Sequence, residues 1–147
     1  GEKLLGGKMH LDVAAARKAI EEKLAVKLNM TVEEVADVKT AVSEAVTNAI
    51  IHGYESRIEK ITLRCKTCGD TLYIEIEDHG KGMEDVKKAM EPLFTTRPEL
   101  DRSGMGFSFM EAFMDQVEVS SKPGKGTIVK MQKTIGKGRK VWTTQSL

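Results

Sequence analysis

Three polar residues stand one helical turn apart in an otherwise apolar stretch of the sequence. Glu44, Asn48 and His52 occupy positions i, i+4 and i+8, so a helix would place their side chains on one stripe. An amide oxygen suits magnesium, and a carboxylate can orient or deprotonate a hydroxyl group. The spacing therefore indicates a magnesium–phosphate site, while an ordinary amphipathic helix with a solvated polar face explains this stretch equally well on its own.

A second cluster lies at the end of a predicted strand. Residues 71–78 alternate apolar and polar side chains and lead directly into Asp78, Gly80 and Gly82, a pattern typical of a half-buried strand followed by a turn. A carboxylate accepts a hydrogen bond from an exocyclic amine, and glycines let the backbone approach a ligand closely. The motif predicts a base-recognition loop, although alone it is weak, because glycine turns after strands are common.

The third cluster is glycine-rich and precedes a predicted helix. Gly104 and Gly106 stand just before residues 108–114, where backbone N–H groups and the positive end of the helix dipole would form a seat for phosphate. Arg102 would add a planar charged donor to a terminal phosphate. The segment is neither a Walker loop, which needs Gly-Lys-Ser/Thr, nor a dinucleotide fingerprint, which needs a third glycine after a strand.

The order of these clusters resembles the four-box ATP site of the Bergerat-type superfamily, which includes gyrase, histidine kinases and a heat-shock chaperone. The chain is more specifically similar to the bacterial anti-sigma factor serine kinases. Residues 44–55, 91–100 and 102–107 carry this resemblance, which covers roughly residues 31–135. It predicts an α+β fold, a two-layer α/β sandwich with a mainly antiparallel (mixed) sheet and helices on one face.

The resemblance also implies a role for each site residue. Asn48 would hold magnesium, Glu44 would act as the base or orient the attacking hydroxyl, and Arg102 would contact the terminal phosphate. Asp78 would read the adenine amine, and residues 91–105 would form a lid over ATP. The other implied nucleotide contacts are Gly80, Gly82, Thr95, Thr96, Ser103, Gly104, Met105, Gly106, Phe107 and Thr127.

By the same resemblance, the protein would be a cytoplasmic homodimer that binds and inhibits a sporulation sigma factor. It would use Mg-ATP to phosphorylate a serine of an anti-anti-sigma protein, with ADP as product. A nucleotide-gated anti-sigma binding module with weak or no kinase activity is the alternative. At the front of the chain, residues 9–13 resemble the family's first strand, but the connection after them is shorter, and Arg17 or Lys18 would take the partner-contact position.

The composition agrees with this interpretation. The 147 residues include 23 basic and 22 acidic side chains, so no basic footprint for direct nucleic-acid binding is expected. No apolar run approaches the roughly 18 residues of a membrane span, and no signal peptide is apparent, so we expect a cytoplasmic protein. We expect one domain over residues 1–135 and a flexible basic tail over 136–147.

The two cysteines, Cys65 and Cys68, stand at a predicted hairpin turn. A zinc site usually needs two more Cys or His ligands at suitable spacing, which the three histidines do not offer. We therefore expect ordinary reduced thiols.

The remaining patterns predict the elements that must position the site. A capping box at Thr31–Glu34 opens a long helix ending near Gly53. On the helix after the glycines, Phe109, Met110 and Phe113 are expected to face the core. Further helices are predicted at 14–28 and 84–90, and strands at 61–64, 72–77, 117–121 and 127–133.

Overall fold

The computed structural model describes residues 3–5, 8–9, 13–24, 28–53, 60–91 and 106–136. Its strands are β1 (Lys3–Leu5), β2 (Lys8–Met9), β3 (Ile61–Cys68), β4 (Thr71–Asp78), β5 (Gln116–Lys122) and β6 (Gly126–Thr134). Its helices are α1 (Val13–Ala19), α2 (Val32–Asn48), α3 (Val86–Ala89) and α4 (Gly106–Phe113). Two π-helical segments, Ile20–Leu24 and Ala49–Gly53, continue α1 and α2.

The strands form one sheet in the order β1-β3-β4-β6-β5, with β2 also paired to β3. Every pairing within the described residues is antiparallel. Together with the helices, this sheet confirms the predicted α+β sandwich. The two central strands place Asp78, the last residue of β4, directly opposite Thr127 near the start of β6.

Helix α2 forms because its ends and its faces are both specified by the sequence. The Thr31 hydroxyl accepts a hydrogen bond from the Glu34 backbone N–H at 3.1 Å, and Glu34 accepts one from the Thr31 N–H at 2.9 Å. This is the predicted capping box. The buried face of the helix consists of Val38, Ala41, Val42, Ala45 and Val46.

The strand alternation explains how a carboxylate enters the interior. Leu72, Ile74 and Ile76 of β4 point into the core, and the residues between them are half-exposed. Because side chains alternate along a strand, the same period also turns Asp78 toward the helices. This packing places the Asp78 carboxylate under the helical layer, where only 5% of the residue is exposed.

Two predictions about the first helix and strand were wrong in detail. The predicted strand at 9–13 is represented by Met9 in β2, whereas Val13 is already the first residue of α1. The α-helix predicted to run to Leu28 ends at Ala19 and continues only as a π-helical segment. Asn29 has a φ of 52° in the turn that follows, a left-handed conformation that a helix cannot continue.

The inner face of α4 also differs from the prediction. Phe107 and Met110 are buried, but Phe109 is 36% exposed and stacks against half-buried Phe113, with ring centroids 6.5 Å apart. The helix begins at Gly106, and its buried face consists of Gly106, Phe107 and Met110.

The two cysteines lie within β3, which extends beyond its predicted end to Cys68. The turn is formed by Gly69, with a φ of 58°, and Asp70. Residues three apart on a strand face opposite sides, so Cys65 is buried, Cys68 is exposed, and both are free thiols. Burial raises the pKa of the Cys65 thiol to about 12.

Two hydrogen bonds connect α2 to the described residues near the two ends of the chain. Arg17 lies exposed on α1 and donates a hydrogen bond to the Ser43 hydroxyl at 3.2 Å. Gly136 donates its N–H to Glu34 at 2.6 Å, and the rest of the predicted tail lies outside the described residues. In the described part of the chain, no helix has both the length and the apolar character needed to cross a membrane.

Candidate functional site

A cavity of about 450 Å³ opens between the end of α2, the ends of the central strands and the start of α4. It brings together residues from all three sequence clusters. Its lining includes Asn48, His52, Asp78, Gly82, Gly106 and Thr127. Asn48 and His52 of the predicted stripe therefore face the predicted base loop across one cavity.

One end of the cavity carries the Asp78 carboxylate. The Gly80 backbone N–H donates to Asp78 Oδ1 at 2.9 Å. Burial raises the pKa of Asp78, and hydrogen bonds from the backbone N–H groups of Gly80 and Thr127 oppose that rise. These bonds fix the carboxylate in one orientation, as a group that must recognise a ligand by geometry requires.

The loop after Asp78 is packed against the end of the helix. A methyl group added to Gly80 would lie 2.0 Å from the carbonyl oxygen of Gly53, a distance that no real contact shows. That same carbonyl accepts a hydrogen bond from the Lys81 N–H at 2.9 Å. Glycine is required at position 80 because helix and loop backbones touch there.

The loop is also packed against the hairpin that joins β5 and β6. A methyl group on Gly82, which has a φ of 72°, would lie 2.0 Å from the Lys122 carbonyl oxygen. The Gly124 N–H donates to the Lys81 carbonyl oxygen at 2.6 Å. The loop after Asp78 is thus held on two sides by backbone contacts.

The other end of the cavity is lined by Asn48 of α2, and Glu44 lies one helical turn before it. A methyl group on Gly106 would lie 3.1 Å from Asn48 Nδ2, and 3.3 Å from both Asn48 Oδ1 and Glu44 Oε2. The amide and the carboxylate therefore both lie against the first turn of α4. Phosphate oxygens bound at that helix end would be within reach of both side chains.

The end of α2 departs from regular helix where it borders the cavity. The segment Ala49–Gly53 is π-helical, a rare conformation that occurs frequently at functional sites. It carries His52 into the cavity wall beside Asn48 and ends with Gly53 against Asp78. The sequence indicated the stripe but contained no signal for this widened turn.

The structure brings together eight of the predicted site residues, namely Glu44, Asn48, Asp78, Gly80, Gly82, Gly106, Phe107 and Thr127. Arg102 and the predicted contacts Thr95, Thr96, Ser103, Gly104 and Met105 lie outside the described residues. Of the predicted lid, 91–105, the structure describes only Glu91, which lines the cavity.

Two further residues belong to the site and were not predicted. Gly53 lies against the Asp78 carboxylate, and the Ser121 hydroxyl contacts the Thr127 hydroxyl at 2.8 Å. Gly53 was visible in the α2 motif, but its contact with Asp78 is long-range. Ser121 depends on the pairing of β5 with β6, which no local pattern reveals.

Comparison with known proteins agrees with this geometry. Residues 10–133 match the model of the histidine kinase-like ATPase domain, and the chain belongs to that family. Two solved structures share the fold. One contains the RsbU and RsbW domains of a Mycobacterium tuberculosis protein, with a TM-score of 0.63, 18% identity, and coverage of 90% of this chain and 32% of the other. The other is full-length ShkA in complex with AMPPNP, with a TM-score of 0.56, 14% identity, and coverage of 87% and 31%.

Relatives with higher sequence identity show which members of this family the chain resembles. An anti-sigma F factor from Thermoanaerobacter sp. (strain X514) is 60% identical over 112 residues, which are 76% of this chain and 78% of the relative. An anti-sigma F factor from Clostridium botulinum (strain Eklund 17B / Type B) is 54% identical over 121 residues, 82% of this chain and 84% of the relative. Within the ATPase family the chain groups with the anti-sigma F factors, and this similarity supports an anti-sigma factor function.

Proposed function

We propose that the chain is a serine kinase and anti-sigma factor that works with Mg-ATP. It binds and inhibits a sporulation sigma factor, phosphorylates a serine of an anti-anti-sigma protein and acts as a cytoplasmic homodimer. One observation carries the nucleotide part of this proposal. A single cavity joins the fixed Asp78 carboxylate at one end to Asn48 beside the start of α4 at the other, and Glu44 lies next to Asn48 against Gly106.

The two ends of the cavity suit the base and the phosphates of ATP. The Asp78 carboxylate accepts a hydrogen bond from the adenine amine, while the positive end of α4 at Gly106 attracts the phosphates. The amide oxygen of Asn48 is a hard donor, so this residue would hold a magnesium ion beside the phosphates. When bound, magnesium would neutralise part of the phosphate charge.

The protein's own contribution to phosphoryl transfer is mainly positioning. In the transfer, the bond between the terminal phosphorus and the ADP oxygen breaks, and a bond from the substrate serine oxygen to that phosphorus forms. Glu44 orients the serine hydroxyl and accepts its proton. Because Glu44 lies next to Gly106, its carboxylate is close to the helix end where the phosphates would bind.

The proposal is tested by incubating the protein with labelled ATP and candidate anti-anti-sigma proteins, followed by mapping of the modified residue. Glu44→Gln should leave ATP binding intact and lower transfer by about 10²-fold or more, the usual contribution of a positioned base. Glu33→Gln is the matched control, since Glu33 is exposed in the first turn of the same helix, about 16 Å from Glu44 at 1.5 Å per residue.

Three results would contradict parts of the proposal separately. Wild-type transfer rates in Glu44→Gln would remove Glu44 from the chemistry. Tight ATP binding with no transfer by the wild-type protein would refute the kinase activity and favour the nucleotide-gated binding module. Binding of a purified sporulation sigma factor, measured with ATP, with ADP and without nucleotide, tests the partner, and no binding in any condition would refute it.

A further inference from the structure

A row of three polar side chains crosses the sheet at the base end of the cavity. Asp78 of β4 pairs with Thr127 of β6, and Thr127 pairs on its other side with Ser121 of β5. Residues directly opposite each other in an antiparallel sheet point to the same face. The row therefore faces the helices, with Asp78 and Thr127 in the cavity wall and Ser121 one strand further from Asp78.

The Ser121 hydroxyl has three polar contacts. It accepts a hydrogen bond from the Met83 backbone N–H at 2.8 Å, donates one to the Gly126 carbonyl oxygen at 3.0 Å, and lies 2.8 Å from Thr127 Oγ1. A hydroxyl has one proton and two lone pairs. The Gly126 carbonyl can only accept, so the Ser121 hydroxyl forms hydrogen bonds with both Gly126 and Thr127 at the same time only when it donates to Gly126 and Thr127 donates to it.

This arrangement of hydrogen bonds determines whether Thr127 presents a donor or an acceptor to a ligand. With its proton directed at Ser121, the Thr127 hydroxyl presents only lone pairs to the cavity. We propose that Ser121 is a positioning residue that sets base specificity, because it holds Thr127 as a hydrogen-bond acceptor beside the acceptor Asp78. The inference rests on the proposed binding of an adenine nucleotide and names the residue that selects the amino group at position 6 of the purine.

Two neighbouring acceptors distinguish an amino group from an oxo group. The 6-amino group of adenine has two hydrogens to donate, whereas inosine carries at that position an oxygen whose lone pairs would face Thr127 and Asp78. Such a contact rejects the wrong base by an unfavourable interaction. Without Ser121, the Thr127 hydroxyl can rotate and donate to the oxo group, so inosine nucleotides should bind better.

The experiment measures the dissociation constants of Mg-ATP and Mg-ITP by calorimetry, because the two nucleotides differ only at position 6 and at the adjacent N1, which carries a hydrogen in inosine. In Ser121→Ala, the ratio of the ITP constant to the ATP constant should fall by about tenfold, the equivalent of one hydrogen bond. Most of the change should come from tighter ITP binding. Ser121→Thr keeps the hydroxyl and should keep the wild-type ratio. Ser120→Ala, a neighbouring exposed serine that pairs with Ile128, is the matched control.

A double-mutant cycle tests whether Ser121 acts through Thr127. In a Thr127→Val background, Ser121→Ala should leave the ratio unchanged, because no hydroxyl remains to be oriented. Since the ratio compares two ligands on one variant, a general loss of stability affects both and cancels.

An unchanged ratio in Ser121→Ala would overturn the inference, as would an equal change in the Thr127→Val background or a wild-type protein that binds both nucleotides alike. In each of these cases ATP binding, and with it the proposed function, would stand. Failure of the wild-type protein to bind ATP at all would refute the proposed function itself.

Discussion

Replacing Gly53 with alanine tests whether the end of α2 positions the base-reading carboxylate. The added methyl group would lie 2.8 Å from Asp78 Oδ1, 2.9 Å from Cγ and 3.0 Å from Oδ2. A carboxylate can normally rotate away from such a contact. Here it is fixed by the backbone N–H groups of Gly80 and Thr127, so moving it breaks or distorts those hydrogen bonds.

The expected effect is larger on binding than on stability. A hydrogen bond to a charged group contributes about 1.5–3 kcal/mol, so a misaligned Asp78 should lower ATP affinity by roughly 10- to 100-fold. Overpacking costs about 1–3 kcal/mol of stability. Because Gly53 ends a π-helical segment, the helical preference for alanine over glycine offsets about 0.5–1 kcal/mol of this loss of stability. The net loss of folding free energy should therefore lie between about 0 and 2.5 kcal/mol.

Calorimetric titration with Mg-ATP, together with thermal unfolding, measures both effects. Gly69→Ala is the matched control, because Gly69 has a φ of 58° and nothing within 4 Å of an added methyl group. It should lose about 1–2 kcal/mol of stability from left-handed strain and bind ATP normally. In an Asp78→Ala background, Gly53→Ala should cost little further affinity. Wild-type ATP affinity in Gly53→Ala, or an equal loss in both backgrounds, would refute the reasoning.

Three further predictions concern the rest of the site. Asn48→Ala should weaken magnesium-dependent ATP binding as well as phosphoryl transfer. Equal ATP affinities with and without magnesium in the wild-type protein would argue against a metal role for Asn48. Burial raises the pKa of Asp78, so ATP affinity should fall as the pH falls through that raised pKa. The stability of the ligand-free protein should rise over the same pH interval, because the folded state binds the proton more tightly than the unfolded state. Asp78→Asn should abolish that pH dependence, and a pH dependence that persists in it would assign the titration to another group. Hydrogen exchange over residues 91–105 should show more protection with a non-hydrolysable ATP analogue than with ADP, and Arg102→Ala should remove that difference. Equal protection with both nucleotides in the wild-type protein would contradict a lid that senses the terminal phosphate.

The parts of the fold that the sequence predicted are those fixed by local chemistry. The capping box at Thr31 marks the start of α2, and the alternation along β4 identifies both its buried face and the inward direction of Asp78. The glycines after Asp78 were recognised in the sequence as positions where backbone could approach a ligand, whereas the structure shows that Gly80 and Gly82 are packed against the backbone of Gly53 and Lys122. These signals lie within a few residues of the feature they specify.

The parts that escaped prediction depend on long-range packing. Whether Phe107 or Phe109 faces the core is decided by where α4 begins and how it packs on α2, not by the apolar pattern, which contains both. The π-helical end of α2 and the contact of Gly53 with Asp78 arise where three elements meet. Ser121 is recognisable as a site residue only once β5 is in register with β6.

The two ends of the cavity differ in how they are held, and this difference bears on regulation. The base end is tied by backbone contacts from the Gly53 carbonyl oxygen and the Gly124 N–H to Lys81, and by the Met83 bond to Ser121. Such a loop has little freedom to respond to the number of phosphates. ATP and ADP carry the same base, so their difference must be sensed at the phosphate end, beside Glu44, Asn48 and Gly106. We therefore expect that any change of partner with nucleotide state originates at the start of α4 and in residues 91–105, and that changes to the base end alter the affinities for ATP and ADP by the same factor.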